Sequence, residues 1–343
     1  MPITDTQSQA AAAPVAAAAA ERYTVLVTGE HLVREAQQIL REAGARIEFM
    51  PEPITEDALS ARFAAGPIDA VVLRGSRPFT ARVIAAAQGL RVIAKNGAGV
   101  DSVDLAAAKH RGIVVAVAAG ANADAVAEHA IALMLALVRD LTRLDRKLRG
   151  GGWEGTDWQG RDFRGSVVGI VGYGSIGRST ARLAAALGAH VVVLRREGTA
   201  DGFDVERELD ALLARVDILS LHCPLTERTR GLIGSRELAL LKRGALLVNT
   251  ARGPIVDEAA LVAALASGHL GGAGLDTFAV EPIAGDNPLL ALDNVILTPH
   301  IAGVTRDAAL RVATTTARNV VDVLAGRTLP AAHVVTAPGA TKT

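Results

Sequence analysis

The sequence predicts a two-domain α/β protein with parallel sheets, and three observations carry that expectation. From Tyr23 onward, short runs rich in Val, Ile and Leu alternate with Ala-rich helical stretches. The runs are apolar throughout instead of alternating, as strands covered on both faces should be. At 343 residues the chain is long enough for two domains of roughly 100–200 residues each.

The strand candidates of the first region are Tyr23 to Val27, Ala70 to Leu73, Arg91 to Ala94 and Gly112 to Val117. A long helix is expected from about Asp124 to Leu148, with Asp124 as its N-cap and Gly150-Gly151-Gly152 as its stop. At 1.5 Å per residue it would run roughly 38 Å, enough to link two domains or to form a dimer contact. The glycines and the stretch to Gly165 read as the loop into a second region. That region opens with Val167 to Val171, followed by Val191 to Leu194, Val216 to Leu221, Ala245 to Val248 and Val295 to Leu297. From about Gly303 the chain turns helical again and is expected to pack back on the first domain. The expected division is 22–123 plus 303–330 for one domain and 124–302 for the other. Residues 1–21 read as a disordered Ala-rich tail and 331–343 as a second tail.

Composition narrows the function. The 36 basic side chains balance the 36 acidic ones, without the excess of Lys and Arg that nucleic-acid binding requires. A single cysteine, Cys223, rules out an internal disulfide and a cysteine-based zinc site, and no metal is expected. The longest apolar run, Ala130 to Val138, is too short to span a membrane. No Lys or Arg precedes Arg22, so neither a secretory nor a mitochondrial leader is recognised, and a cytoplasmic protein is the default.

The most informative motif is Gly172-Tyr173-Gly174-Ser175-Ile176-Gly177, which follows an apolar strand and opens a helix. Gly172 permits a tight turn, Gly174 lets the backbone approach a pyrophosphate, and Gly177 lets helix and strand pack closely. The helix N-terminus then offers free N–H groups and the positive end of its dipole. The domain that carries it is therefore expected to be Rossmann-like, and the parallel strand–helix alternation extends that expectation to both domains. An acidic residue normally ends the next strand and binds the ribose of NAD; here Arg195-Arg196 stand there instead. Guanidinium groups can hold the 2′-phosphate of NADP, so NADPH is favoured and NADH remains possible. Alternatively, the two arginines are solvated, or one stacks on adenine.

Three further segments sit where strands of the second domain should end: Val248 to Asp257, Gly274 to Pro282 and Leu297 to Gly303. In an open parallel sheet those ends face the ligand crevice, so an arginine, a carboxylate and a histidine can converge beside a nicotinamide. With the glycine fingerprint, His222-Cys223-Pro224-Leu225-Thr226, Asn249-Thr250-Ala251-Arg252-Gly253, Asp276 to Glu281-Pro282 and Pro299-His300, the chain resembles the D-isomer-specific 2-hydroxyacid dehydrogenases from about residue 22 to 330.

That resemblance implies roles. Arg252 binds the substrate carboxylate through a planar, permanently charged fork that lysine lacks. His300 gives a proton to the carbonyl oxygen as hydride arrives and takes it back in oxidation, a task suited to a side chain that titrates near neutrality. Glu281 holds the ring. Asp276 meets the nicotinamide carboxamide, and His222, Cys223, Pro224, Thr229, Thr250, Ala251, Arg252, His300 and Gly303 lie at the cofactor. Substrate contacts fall at Arg74, Gly75, Ser76, Ala98 and Gly99, where glycines leave backbone N–H groups for a carboxylate; Arg74 or Arg77 is a candidate for a second anion. His129, on the long helix, is read as structural.

The resemblance thus implies a reductase of small 2-keto acids such as glyoxylate or hydroxypyruvate, with a cleft between its domains and a homodimeric assembly. A phosphoglycerate dehydrogenase using NAD is the alternative, although the 13 residues 331–343 leave no room for the regulatory domain some of those enzymes append. Formate dehydrogenase is disfavoured because it lacks the glutamate that Glu281 supplies. A rival of another class is a dinucleotide-sensing corepressor of the same fold, which retains the three catalytic residues.

Overall fold

A computed structural model describes residues 21–336. Of the expected tails at 1–21 and 331–343, residues 1–20 and 337–343 lie outside the described residues. The elements run β1 (Tyr23–Thr28), α1 (Arg34–Glu42), β2 (Ala45–Met50), α2 (Glu56–Ala64), β3 (Ala70–Leu73), α3 (Ala81–Ala86), β4 (Val92–Lys95), α4 (Leu105–His110) and β5 (Val114–Val117). Next come α5 (Ala123–Val138), α6 (Leu141–Arg149), β6 (Val167–Val171), α7 (Ser175–Ala186), β7 (His190–Leu194), β8 (Asp204–Glu206), α8 (Leu209–Arg215) and β9 (Ile218–Leu221). The remainder is α9 (Ser235–Leu240), β10 (Leu246–Asn249), α10 (Glu258–Ala266), β11 (Gly272–Leu275), β12 (Val295–Leu297), α11 (Arg306–Leu324) and β13 (Val334–Thr336). The chain divides into two units, the first up to Ala118 and again from Ala313, the second Ala119–Val312. The sequence places these divisions at 123/124 and 302/303; the second falls inside α11 and not before it.

Unit 1 is a doubly wound sheet with strands in the order β2-β1-β3-β4-β5, all parallel, and β13 added antiparallel to β5. Successive residues of β3 show why no polar alternation marks such strands. Val71 and Leu73 join one apolar cluster with Leu59, Phe63 and Phe79, while Ala70 and Val72 join another with Leu40, Ala317 and Val320. β13 corrects the expected second tail: residues 334–336 are a strand.

Unit 2 is a seven-stranded parallel sheet in the order β12-β11-β10-β9-β6-β7-β8. The order reverses between β6 and β9, which is where a doubly wound sheet opens a ligand crevice beyond its strand ends. The expected long helix is two helices. The polar pair Arg139-Asp140 ends the apolar run of α5, and Asp140 turns left-handed at φ 54°, a conformation aspartate tolerates better than most residues. The cap also differs: Asn122 precedes α5, and Asp124 accepts a hydrogen bond from Ser179 Oγ at 2.7 Å. Besides β13, three strands carried no visible signal. β2 and β8 are edge strands, and β11 reads Gly-Ala-Gly-Leu. Its glycines serve packing: a Cβ on Gly274 would lie 2.9 Å from Leu133 Cβ of α5, and one on Gly272 3.1 Å from Leu137. Among the described residues no helix is long and apolar enough to cross a membrane.

Candidate active site

The sequence-predicted residues of unit 2 all lie beyond the carboxyl ends of its strands, in the order of the sheet. The glycine fingerprint follows β6, Arg195 and Arg196 follow β7, His222 and Cys223 follow β9, Thr250 to Arg252 follow β10, Asp276 and Glu281 follow β11, and His300 follows β12.

Each fingerprint glycine is needed for a different reason. Gly172 has φ 97°, and a Cβ there would fall 2.4 Å from the backbone N of Cys223, so the turn lies directly on the end of β9. A Cβ on Gly177 would overlap the Gly172 carbonyl oxygen at 2.0 Å. Around Gly174 a Cβ would meet nothing within 4 Å, and Gly174 is the N-cap of α7 without a side-chain cap. The helix N-terminus therefore opens onto free space with its N–H groups unclaimed by a capping side chain. This arrangement fits a dinucleotide pyrophosphate.

Tyr173 is fixed by contacts the sequence did not show. Its hydroxyl donates to Asp201 Oδ2 at 2.8 Å, and Arg178 bonds the same oxygen at 2.6 Å while lying over the Tyr173 ring. Burial, then the bond to Asp201, pushes the Tyr173 hydroxyl up to about 12, and that bond, followed by Arg178, holds the Asp201 carboxyl below its usual range. Asp201 thus ties the loop after β7 to the fingerprint. The two arginines of that loop differ. Arg195 is spent on the loop itself, donating to the carbonyls of Glu197 at 2.7 Å and Thr199 at 2.9 Å. Arg196 is exposed and makes no hydrogen bond or ion pair among the described residues.

At the end of β9, His222 Nε2 lies 2.9 Å from Ser220 Oγ, whereas its Nδ1 is buried without a partner. Burial pushes the His222 pKa down to about 4, so the ring is neutral near pH 7. Burial also raises the Cys223 thiol, the opposite of what a nucleophilic cysteine needs. Thr229 Oγ1 closes its own turn, donating to Pro224 O and accepting from Thr226 N, both at 2.7 Å. Thr250 Oγ1 is buried and unpaired, and Ala251 N donates to Asn249 Oδ1 at 3.0 Å.

The three loops beyond β10, β11 and β12 are bonded to one another. Gly253, next to Arg252, sits so close to the second loop that a Cβ would be 1.9 Å from the Phe278 carbonyl carbon. Phe278 N donates to Glu281 Oε1 at 3.0 Å, and Glu281 Oε2 is 2.7 Å from His300 Nδ1. Glu258, which the sequence did not single out, braces this loop from α10 by accepting from Ala279 N and Asn287 Nδ2. His300 itself is left-handed at φ 55°, and half of its side chain is exposed. Asp276 is buried, and its carboxylate accepts from Thr298 Oγ1 at 2.6 Å, Ile301 N at 2.9 Å and Ala302 N at 2.8 Å. It therefore shapes the His300 loop, a task the sequence did not assign to it. Gly303 packs against Asn122, whose Nδ2 would lie 2.4 Å from a Cβ there.

The substrate candidates of unit 1 lie on the loops after β3 and β4. Gly75 (φ 63°) and Gly97 (φ 147°) adopt conformations suited to glycine, and Ser76, Ala98 and Gly99 lie beside them. Both arginines of the first loop are engaged, Arg74 with the His31 carbonyl and Arg77 with Glu52. Lys95 was missed from sequence. It is buried at the end of β4 and donates from Nζ to the Gly75 carbonyl, joining the two loops. A lysine closing the apolar run Val92-Ile93-Ala94 was its only signal.

Comparison with known proteins agrees with this architecture. Residues 131–302 match the family model described as "D-isomer specific 2-hydroxyacid dehydrogenase, NAD binding domain", so unit 2 carries a nicotinamide-dinucleotide-binding domain. The chain is 38% identical over 91% of its length to a D-3-phosphoglycerate dehydrogenase of Archaeoglobus fulgidus, of which it covers 59%. It spans only about half of several other phosphoglycerate dehydrogenases it matches, at 50% of their length. A hydroxypyruvate reductase of Thermotoga maritima is 38% identical over 85% of this chain and 95% of its own. A crystal structure of a glyoxylate reductase from Paecilomyes thermophila superposes with a TM-score of 0.82 at 31% identity, covering 91% of this chain and 98% of that one. The chain belongs to the D-isomer-specific 2-hydroxyacid dehydrogenase family.

Proposed function

We propose that the protein is an NAD(P)H-dependent oxidoreductase that reduces a small 2-keto acid to its D-2-hydroxy acid, with glyoxylate or hydroxypyruvate as the substrate type. The observation that carries this reading is the 2.7 Å pair between His300 Nδ1 and Glu281 Oε2, on the sheet edge that also bears the dinucleotide fingerprint. A nicotinamide bound there supplies the hydride for the keto carbon. Glu281 holds the imidazole so that Nε2 faces outward, where it donates a proton to the carbonyl oxygen and recovers it in the reverse direction. Arg252 binds the substrate carboxylate and polarises the carbonyl. In unit 1, Gly75, Ser76, Ala98 and Gly99 are the proposed substrate-contact residues, with Arg74 preceding them.

One feature favours the glyoxylate and hydroxypyruvate reductases over phosphoglycerate dehydrogenase, although relatives of the latter name match well. Arg74 and Arg77, the candidates for a substrate phosphate, are both already engaged. NADPH is the favoured donor because Arg196 stands exposed after β7. His222, Cys223, Pro224, Thr229, Thr250, Ala251, Asp276 and Gly303 complete the cofactor's surroundings. A homodimer is part of the same reading, since α6 and the segment after it expose Leu141, Leu148 and Trp153.

The experiment is a set of initial rates of reduced-nicotinamide oxidation with NADPH and NADH against glyoxylate, hydroxypyruvate, pyruvate and phosphohydroxypyruvate. Turnover of glyoxylate or hydroxypyruvate, faster with NADPH, supports the proposal. Turnover of phosphohydroxypyruvate alone moves the substrate to the phosphoglycerate type. Dinucleotide binding without turnover on all four favours a sensor.

A further inference from the structure

The His300 loop is held by a chain of groups that reaches back into α5. His129 Nε2 lies 3.0 Å from Thr298 Oγ1, and the Thr298 hydroxyl donates to Asp276 Oδ1 at 2.6 Å. A hydroxyl has one proton, and here the carboxylate receives it, so the remaining bond must be donated by the imidazole. His129 is therefore held as the tautomer with its proton on Nε2. Asp276 Oδ1 also lies 3.8 Å from that ring nitrogen. The same carboxylate receives the N–H groups of Ile301 and Ala302, the two residues that follow His300. His300 N in turn donates to the Thr298 carbonyl at 3.0 Å. The five residues 298–302 are thus fastened at both ends to one buried carboxylate.

This fastening answers a specific cost. His300 carries a Cβ in a left-handed conformation, which persists only where surrounding bonds over-determine it. Thr298 and Asp276 supply those bonds, and His129 fixes the rotation of the Thr298 hydroxyl so that its single proton points at Asp276. We propose that His129 is a positioning residue for the proton-transfer step, acting through Thr298 and Asp276 on the loop that carries His300. This rests on the assignment of His300 as the acid–base group. His129 needs no contact with substrate or dinucleotide for the role; what it supplies is one donated hydrogen bond.

The test compares His129→Leu, which removes the donor, with His129→Gln, which keeps an N–H donor at similar reach. Each is measured for kcat, for the directly titrated Kd of the dinucleotide and for thermal unfolding, alone and in the His300→Ala background. His129→Leu should lower kcat on the order of tenfold to a hundredfold, as small misplacements of a catalytic group do, with dinucleotide Kd within about twofold of wild type. His129→Gln should recover most of that loss. In the His300→Ala background, adding His129→Leu should change kcat by less than about twofold, because the group it positions is already gone.

Wild-type kcat in His129→Leu would overturn the proposal, and so would equal losses in the Leu and Gln variants. A full further loss on top of His300→Ala would also overturn it, since His129 would then act independently. If His300→Ala alone keeps wild-type turnover, the acid–base assignment beneath the proposal fails, an outcome separate from all the others.

Discussion

Two loop systems share the same edge of the unit 2 sheet and are built in opposite ways. Beyond β10, β11 and β12, the loops carrying Arg252, Glu281 and His300 are knit together by two carboxylates, the buried Asp276 and the exposed Glu281. Asp276 takes three hydrogen bonds and Glu281 two, while Gly253 lies against the Phe278 backbone. Beyond β6 and β7, the fingerprint relies on absent side chains, and the loop after it is fastened mainly through exposed Asp201 and half-buried Arg195. The difference teaches where rigidity is placed. A proton donor must stay within hydrogen-bond reach of a reacting atom, so its loop is over-determined. A phosphate-binding loop needs open backbone and a free cation, which a dense network would consume.

Four substitutions or titrations sharpen that contrast, taken from the largest expected effect to the smallest. His300→Ala should lower kcat by roughly 10²–10⁴-fold, the usual worth of general acid–base help, with the dinucleotide Kd unchanged in a direct titration. Near-normal turnover would remove His300 from the chemistry. Gly253→Ala should destabilise the protein by about 3 kcal/mol or more, read by chemical denaturation, because the added methyl meets backbone on the neighbouring loop and cannot rotate away. Unchanged stability would show that the two loops are not pressed together.

The third concerns His222, between the two systems. Its pKa is depressed to about 4 in the folded chain, whereas an unfolded histidine titrates near 6.5. Between those values the unfolded chain binds a proton that the folded chain does not. The contribution is therefore fully present above pH 6.5 and is lost as pH falls toward 4, with a slope approaching about 1.4 kcal/mol per pH unit. Replacing His222 with Asn should flatten that part of the stability profile, and an unchanged slope in urea titrations at pH 4.5–6.5 would assign it elsewhere.

The smallest effect belongs to the dinucleotide side. Arg196→Ser should raise the KM for NADPH about tenfold, the loss of one charge-assisted bond, while the KM for NADH moves less than about twofold. Arg195→Ser should disturb both dinucleotides alike, because it releases the carbonyls of its own loop. Equal changes for NADPH and NADH in Arg196→Ser would break the division between the two arginines.

Much of this was legible in the sequence because parallel strands are continuous apolar runs and because strand ends collect the chemistry. The fingerprint, Arg252 and His300 stood out as polar residues or glycines soon after such runs, and Glu281 through the motif that carries the family resemblance. What escaped were partners distant in the chain. Glu258 beneath Ala279 and Asp201 beside Tyr173 find their places only through folding. β11 escaped because its glycines, required by Leu133 and Leu137 of α5, erase the strand signal. The break at Asp140 was also hidden, since the residues on either side of it are good helix formers.

The most direct test of the account is the oxidation of D-glycerate against L-glycerate by the purified protein, with NADP⁺ and with NAD⁺, followed through the reduced nicotinamide. The account predicts turnover of the D-enantiomer alone, faster with NADP⁺, and its loss in His300→Ala. Turnover of the L-enantiomer, or of D-glycerate at equal rates in the wild type and His300→Ala, would contradict it.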